Sequence, residues 1–119
     1  MVEAASTAAK VALIRERKRT ERLAQLRSNA EAVVSQCPGS SLWLFGSLAR
    51  GDWDAYSDVD VLAVAGDQAT ADQLAEAALA IGMADDALAL STTDWLQQSQ
   101  SQDPYWRAIA KDALCLAKG

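Results

Sequence analysis

Residues 41–65 read SLWLFGSLARGDWDAYSDVDVLAVA and contain two apolar segments on either side of a polar turn. The first segment, residues 41–45, is too short for a helix and apolar on both alternating faces, which predicts a buried central strand. The second segment, residues 57–65, predicts another strand, although Asp58 and Asp60 lie near its beginning. An unpaired charge entering a buried strand costs several kcal/mol. The two carboxylates therefore require a compensating partner, either a bound cation or a network of hydrogen-bond donors.

The spacing of the two carboxylates favours a cation. Residues two apart in a strand project to the same face, with Cα atoms roughly 7 Å apart, so Asp58 and Asp60 are predicted to face one cleft. Mg²⁺ prefers oxygen ligands and usually takes one or two carboxylates together with phosphate oxygens and water. The pattern predicts a magnesium site, with room for a second ion about 4 Å from the first, as in two-metal phosphoryl-transfer sites.

The turn between the two segments is suited to phosphate binding. Gly46 lets the backbone approach a phosphate closely, and Ser47 offers a hydroxyl and free N–H groups at the start of a helical turn. Arg50 lies on the same turn, within reach of a triphosphate. The chain contains no Gly-x-x-x-x-Gly-Lys sequence, so this is not a Walker loop.

The N-terminal part of the chain predicts one long helix. Residues 7–36 contain neither Gly nor Pro, and their apolar residues show helical spacing only in the second half. Residues 1–22 are therefore expected to form a projecting arm or to dock on another chain. The predicted apolar stripe consists of Leu23, Leu26, Ala30, Val33 and Cys37.

The part of the chain after residue 65 alternates helices and strands. A capping-box spacing at residues 70–73 predicts a helix that ends at Gly82 and buries Ile81, and residues 86–90 predict a strand. Residues 1–119 are expected to form a single α/β (α+β) domain with a small mixed sheet of three to four strands flanked by helices. The remaining predicted elements are short helices beginning near Ser91 and Asp103, a polar loop at residues 97–102, and either a strand or further helix at residues 113–117.

Composition limits the classes of protein. No apolar stretch reaches the ~20 residues of a membrane span, so a cytoplasmic protein that does not bind membranes is expected. Cys37 and Cys115 are far apart and are interpreted as reduced thiols. The net charge is −5, yet residues 10–27 carry seven of the eleven basic residues. This basic segment is either a solvated helix face or a surface for RNA or an acidic protein.

Gly46-Ser47, followed after ten residues by Asp58-x-Asp60, resembles the signature of the minimal nucleotidyltransferase domain of the DNA polymerase β-like superfamily. The resemblance implies a third carboxylate on the next strand, which is Asp86, or Asp85 if the strand register differs by one. It further implies that Asp58, Asp60 and Asp86 bind Mg²⁺ and are catalytic, with Asp86 activating the attacking hydroxyl. The implied nucleotide-binding residues are Gly46, Ser47, Arg50 and Ser57.

Within that superfamily, the chain is similar to the antitoxin of HEPN/MNT toxin–antitoxin pairs, since 119 residues are expected to leave no room for a separate acceptor-binding domain. The resemblance implies ATP as substrate, transfer of AMP to a toxin tyrosine, and a HEPN-type toxin as partner, through which alone nucleic acid would be involved. A homodimer is also considered. Two alternatives are a non-catalytic antitoxin or regulatory module that acts by binding, and an aminoglycoside-type nucleotidyltransferase acting on a small molecule.

Overall fold

The computed structural model describes residues 2–51 and 58–119, and the side chains of residues 7–51 and 58–119. These ranges form an α/β fold with a long N-terminal helix and a four-stranded mixed sheet flanked by helices, which confirms the predicted fold class. No helix in the described part of the chain is both long and apolar enough to cross a membrane. The elements are α1 (Val2–Val34), β1 (Ser41–Phe45), α2 (Ser47–Arg50), β2 (Asp60–Ala65), α3 (Gln68–Ala80), β3 (Asp86–Ser91), α4 (Thr92–Ser99), α5 (Pro104–Asp112) and β4 (Leu114–Lys118).

The sheet has the strand order β3-β2-β1-β4. Strand β1 pairs antiparallel with both β2 and β4, whereas β2 and β3 are parallel and are joined through α3. The register aligns Phe45 with Asp60 and Asp60 with Asp86. Three neighbouring strands therefore place these three residues in one row across the sheet.

Helix α1 follows the predicted division into two halves. In the second half, Leu23, Leu26, Ala30 and Val33 are all buried in the core that α1 and α3 form with the sheet. In the first half, the side chains from residue 7 to residue 18 are exposed. The exposed residues include three large apolar ones, Val11, Leu13 and Ile14.

Several predicted boundaries were wrong. Helix α3 begins after Asp67, whose side chain accepts a hydrogen bond from Thr70 N–H, so the helix starts before the predicted capping box. It ends at Ala80, and Ile81 is 56% exposed instead of buried, because the chain turns at Gly82 and buries Met83 in its place. Residues 97–99 belong to α4 and not to a loop.

The structure also corrects the predicted start of β2 and decides between the strand and the helix predicted for residues 113–117. Strand β2 begins at Asp60, later than predicted, and residues 52–57 lie outside the described part of the chain. The open choice at residues 113–117 is decided in favour of a strand, because β4 pairs with β1 along its edge. Cys37 and Cys115 are half-buried free thiols.

Candidate active site

An open pocket lies over the row that crosses the three strands. Residues in register on neighbouring strands lie side by side and project to the same face, so Asp60 and Asp86 are adjacent. The pocket has a volume of about 290 Å³. Its lining residues are Phe45, Asp60, Asp86, Leu88 and Tyr105.

The structure distinguishes the two candidates for the third carboxylate. The Asp85 carboxylate accepts a hydrogen bond from Val59 N–H, with 2.7 Å between Val59 N and Asp85 Oδ2. The backbone N–H of Asp85 donates in turn to Val59 O at 2.9 Å. Asp85 thus ties the start of β3 to the residue before β2, whereas Asp86 lines the pocket. This geometry favours Asp86 for the third role.

Asp86→Asn and Asp85→Asn are expected to have different effects. Asp86→Asn removes a carboxylate from the pocket and should reduce nucleotidyl transfer at least a hundredfold, a loss of roughly 3 kcal/mol in transition-state stabilisation. Asp85→Asn retains a side-chain oxygen that accepts from Val59 N–H, so activity should remain within a few fold of wild type. Steady-state kinetics on both variants test this, and a larger loss in Asp85→Asn would contradict the assignment.

The electrostatic environment of Asp60 fits a cation. Its pKa is raised above the ordinary value, first by burial and then by the charges of Asp86, Asp58 and Asp85. A cation in the pocket would reverse this effect, because opposite charge favours the ionised carboxylate. Among the described side chains no three His, Cys, Asp or Glu groups are placed to hold one ion together. The fit therefore rests on Asp60 and Asp86, a pair that Mg²⁺ can accept when phosphate oxygens and water complete its shell.

The Gly-Ser turn lies directly against Asp60. Gly46 has φ 83° and ψ −161°, a conformation essentially restricted to glycine. A Cβ atom built on Gly46 would lie 3.0 Å from Asp60 Oδ2. Ser47 begins α2, and the buried side chain of Leu48 anchors this short helix in the core. The absence of a side chain at residue 46 thus lets the turn approach the carboxylate.

Comparison with known protein families agrees with this arrangement. A family model described as a nucleotidyltransferase domain matches residues 26–90, which is more than half of the chain. The chain belongs to the nucleotidyltransferase domain family. The matched range runs from the second half of α1 through nearly all of β3 and includes Gly46, Asp60 and Asp86. A search of curated proteins finds no match.

Three other predicted residues of this nucleotidyltransferase domain are the nucleotide-binding residues Arg50 and Ser57 and the metal ligand Asp58. Arg50 is on α2, and its Nη1 donates to Asp112 Oδ2 of α5 at 2.9 Å. The Arg50 side chain is 46% exposed, whereas that of Asp112 is 11% exposed. Asp58 is exposed and precedes β2 by two residues, and Ser57 lies outside the described residues.

Two residues at the site were missed in the sequence. Tyr105, interpreted as helix-to-sheet packing, lines the pocket, is 55% exposed, and contacts Trp106 edge-on at 5.3 Å between ring centroids. Arg19, which lies about one turn before the first residue of the apolar stripe of α1, donates two hydrogen bonds to the backbone of α2. The only sequence signal for Arg19 was its charge, since a continuation of the stripe toward the N-terminus would require an apolar residue at this position. Tyr105 carried no such signal, because aromatic residues are common in helix packing.

Proposed function

We propose that this domain transfers a nucleoside monophosphate, AMP from ATP, to a hydroxyl group of a partner protein. The observation that carries the proposal is the adjacent pair Asp60 and Asp86, which lines an open pocket beside the Gly46 turn. Phosphoryl transfer depends mainly on positioning and on neutralising charge. In a chain that belongs to a nucleotidyltransferase family, a turn with a closely approachable backbone would position the phosphates, and the carboxylate pair would hold the Mg²⁺ that offsets their charge.

In the proposed reaction, Asp60 and Asp86 would hold Mg²⁺, one ion or two, and Asp58, which is exposed and precedes β2 by two residues, is proposed as a further ligand. Bound Mg²⁺ neutralises the triphosphate and makes the attacking hydroxyl more acidic. Gly46 and Ser47 hold the phosphates. The acceptor oxygen bonds to the α-phosphorus, the bond from that phosphorus to the pyrophosphate oxygen breaks, and Asp86 accepts the hydroxyl proton.

Arg50 and Ser57 are proposed as further phosphate ligands. For Arg50 this role requires a change of partner from Asp112 to a phosphate, because its guanidinium is bound to Asp112 in this structure. The Arg50 side chain is 46% exposed and therefore accessible to a ligand, whereas that of Asp112 is only 11% exposed. A triphosphate carries more negative charge than one carboxylate and can therefore compete for Arg50.

The shape of the pocket supports a protein as acceptor. Asp86 is exposed, and Tyr105 is 55% exposed, so a side chain of another protein can approach the carboxylates from solvent. The exposed residues Val11, Leu13 and Ile14 on the basic half of α1 offer an apolar and charged surface for such a partner. We propose that the partner is the HEPN-type toxin of a HEPN/MNT toxin–antitoxin pair and that its tyrosine receives AMP.

The test is incubation with labelled ATP and Mg²⁺ beside the protein encoded by the neighbouring gene. Transfer of label to that protein, abolished by Asp60→Asn, is the expected result. Suppression of the partner without any label would favour the non-catalytic antitoxin, and label on an aminoglycoside alone would favour the small-molecule enzyme. Parallel reactions with labelled GTP, CTP and UTP establish the choice of nucleotide.

Tyr105 is expected to bind the nucleotide base. Stacking of a base on an aromatic ring contributes about 1–3 kcal/mol, so Tyr105→Ala should raise the KM for ATP about tenfold or more. Tyr105→Phe retains the ring and should behave like wild type. Leu96→Ala is the control, because Leu96 is similarly exposed, at 56%, but does not line the pocket. If Tyr105→Phe raises the KM for ATP as much as Tyr105→Ala does, the hydroxyl group and not ring stacking is responsible for nucleotide binding.

A further inference from the structure

Arg19 joins the long helix α1 to the short helix α2. Its Nε donates to Leu48 O at 3.2 Å, and its Nη2 donates to Ala49 O at 3.0 Å. The Arg19 side chain is only 20% exposed, although its neighbours on this part of α1 are exposed. An acidic neighbour, Glu16, lies 3.9 Å from Nη1 but is 68% exposed. The two backbone carbonyls are therefore the principal partners of the guanidinium.

Helix α2 is too short to provide N–H donors for the carbonyl groups of Leu48 and Ala49. The last four C=O groups of any helix lack partners within it, and α2 has only four residues. Arginine presents several N–H donors in a rigid fork, which here binds two consecutive carbonyls. A Cβ atom built on Gly51 would lie 3.6 Å from Arg19 Nε, so the chain also passes the guanidinium closely as it leaves the helix.

The two ends of α2 connect Arg19 to the site. At one end Gly46 lies against Asp60, and at the other end Arg19 holds Leu48 O and Ala49 O. The turn between them is closed by Arg50 N–H donating to Gly46 O at 3.1 Å and Gly51 N–H donating to Ser47 O at 3.0 Å. A single helical turn moves as one unit, so a shift where Arg19 binds is transmitted to Gly46 and Ser47.

We propose that Arg19 is a positioning residue that fixes the Gly46–Gly51 turn relative to Asp60, and through it the phosphates of the nucleotide. The phosphate role rests on the proposed function. On the opposite side, Arg50 attaches the same turn to Asp112 of α5. Arg19 supplies the attachment to α1, the helix whose first half is exposed.

The test uses Arg19→Gln, Arg19→Lys and a control, Arg22→Gln, which removes the same charge from an exposed position on the same helix. Hydrogen exchange of the Arg50 and Gly51 amides is measured by NMR. kcat/KM for ATP and KM for the acceptor are measured separately. Exchange at both amides should become at least tenfold faster in Arg19→Gln. kcat/KM for ATP should fall about tenfold while KM for the acceptor stays unchanged, since a misplacement of about 1 Å can cost on the order of a hundredfold in rate.

Arg19→Lys retains the charge but not the fork, so its values should lie between those of Arg19→Gln and wild type. It also provides the comparison if Arg19→Gln does not fold. Unchanged exchange at Arg50 and Gly51 in a folded Arg19 variant would overturn the proposal, as would an equal effect in Arg22→Gln. If the wild type neither binds nor transfers ATP, the proposed function fails, and the exchange rates still decide whether Arg19 fixes the turn.

Discussion

Asp60→Asn is expected to reduce nucleotidyl transfer at least about a thousandfold and, at the same time, to stabilise the protein in the absence of Mg²⁺. The loss of activity follows from removing a metal-binding carboxylate, since metal stabilisation of charge on a reacting phosphate amounts to several kcal/mol and each 1.36 kcal/mol is tenfold in rate. The gain in stability is expected because functional sites often lower the stability of the folded protein. The groups that bind the ligand repel one another when the ligand is absent.

The gain in stability follows from the pKa of Asp60. Burial and the charges of Asp86, Asp58 and Asp85 raise this pKa in the folded protein above 3.8, the value expected for the unfolded chain. As pH rises from about 3.8 through the folded pKa, the folded state holds a proton that the unfolded state has lost, so the free energy of unfolding falls. At neutral pH the free energy of unfolding remains lower than it would be without the charge on Asp60. Asn cannot ionise, and Asp60→Asn should therefore have a higher Tm than wild type at pH 7 and lose this advantage below pH 3.8.

Thermal unfolding with and without Mg²⁺ checks this prediction. At a hundred times its dissociation constant, Mg²⁺ should raise the free energy of unfolding of wild type by about 2.7 kcal/mol and thereby raise its Tm. It should have little effect on Asp60→Asn. The control is Asp67→Ala at the start of α3. Hydrogen bonds from the backbone N–H and the hydroxyl of Thr70 lower the pKa of Asp67. The substitution removes these hydrogen bonds and should therefore lower Tm without changing activity. A lower Tm for Asp60→Asn without Mg²⁺ would contradict the prediction.

Gly46→Ala is expected to cost both stability and activity. The backbone conformation at residue 46 has φ 83° and ψ −161°, and holding another residue there costs about 1–3 kcal/mol. In addition, the new Cβ atom would lie 3.0 Å from Asp60 Oδ2. One of the two groups must move, so we expect at least a hundredfold loss of transfer, the size that a displacement of about 1 Å produces.

Gly82→Ala separates backbone strain from the contact with Asp60. Gly82 also has a positive φ, 76°, but a Cβ atom there would meet nothing within 4 Å. Both variants should lower the free energy of unfolding, measured by urea denaturation, whereas only Gly46→Ala should lose activity. Equal activity in the two variants would show that the approach of residue 46 to Asp60 is not needed for transfer.

Local sequence patterns were sufficient for much of the fold. The two apolar segments around Gly46-Ser47 predicted β1 and β2, although β2 begins three residues later than predicted. The four-residue spacing in α1 identified the buried residues Leu26 and Ala30. The Gly-Ser and Asp-x-Asp motif indicated the family that the comparison found. These features depend on side-chain periodicity and on the conformational freedom of glycine, which are properties of neighbouring residues. For the same reason the sequence carried most of the information about chemistry.

Contacts between distant parts of the chain had to come from the tertiary structure. Asp85 and Asp86 are adjacent acids, and only the pairing of β3 with β2 directs one to Val59 and the other to the pocket. Arg19 contacts α2 across 30 residues of sequence, and Tyr105 of α5 lines the same pocket as Asp60 of β2. Such contacts depend on how whole elements pack, and no periodicity along the chain encodes them. The motif therefore identified the reaction class, whereas packing determined which side chains surround it.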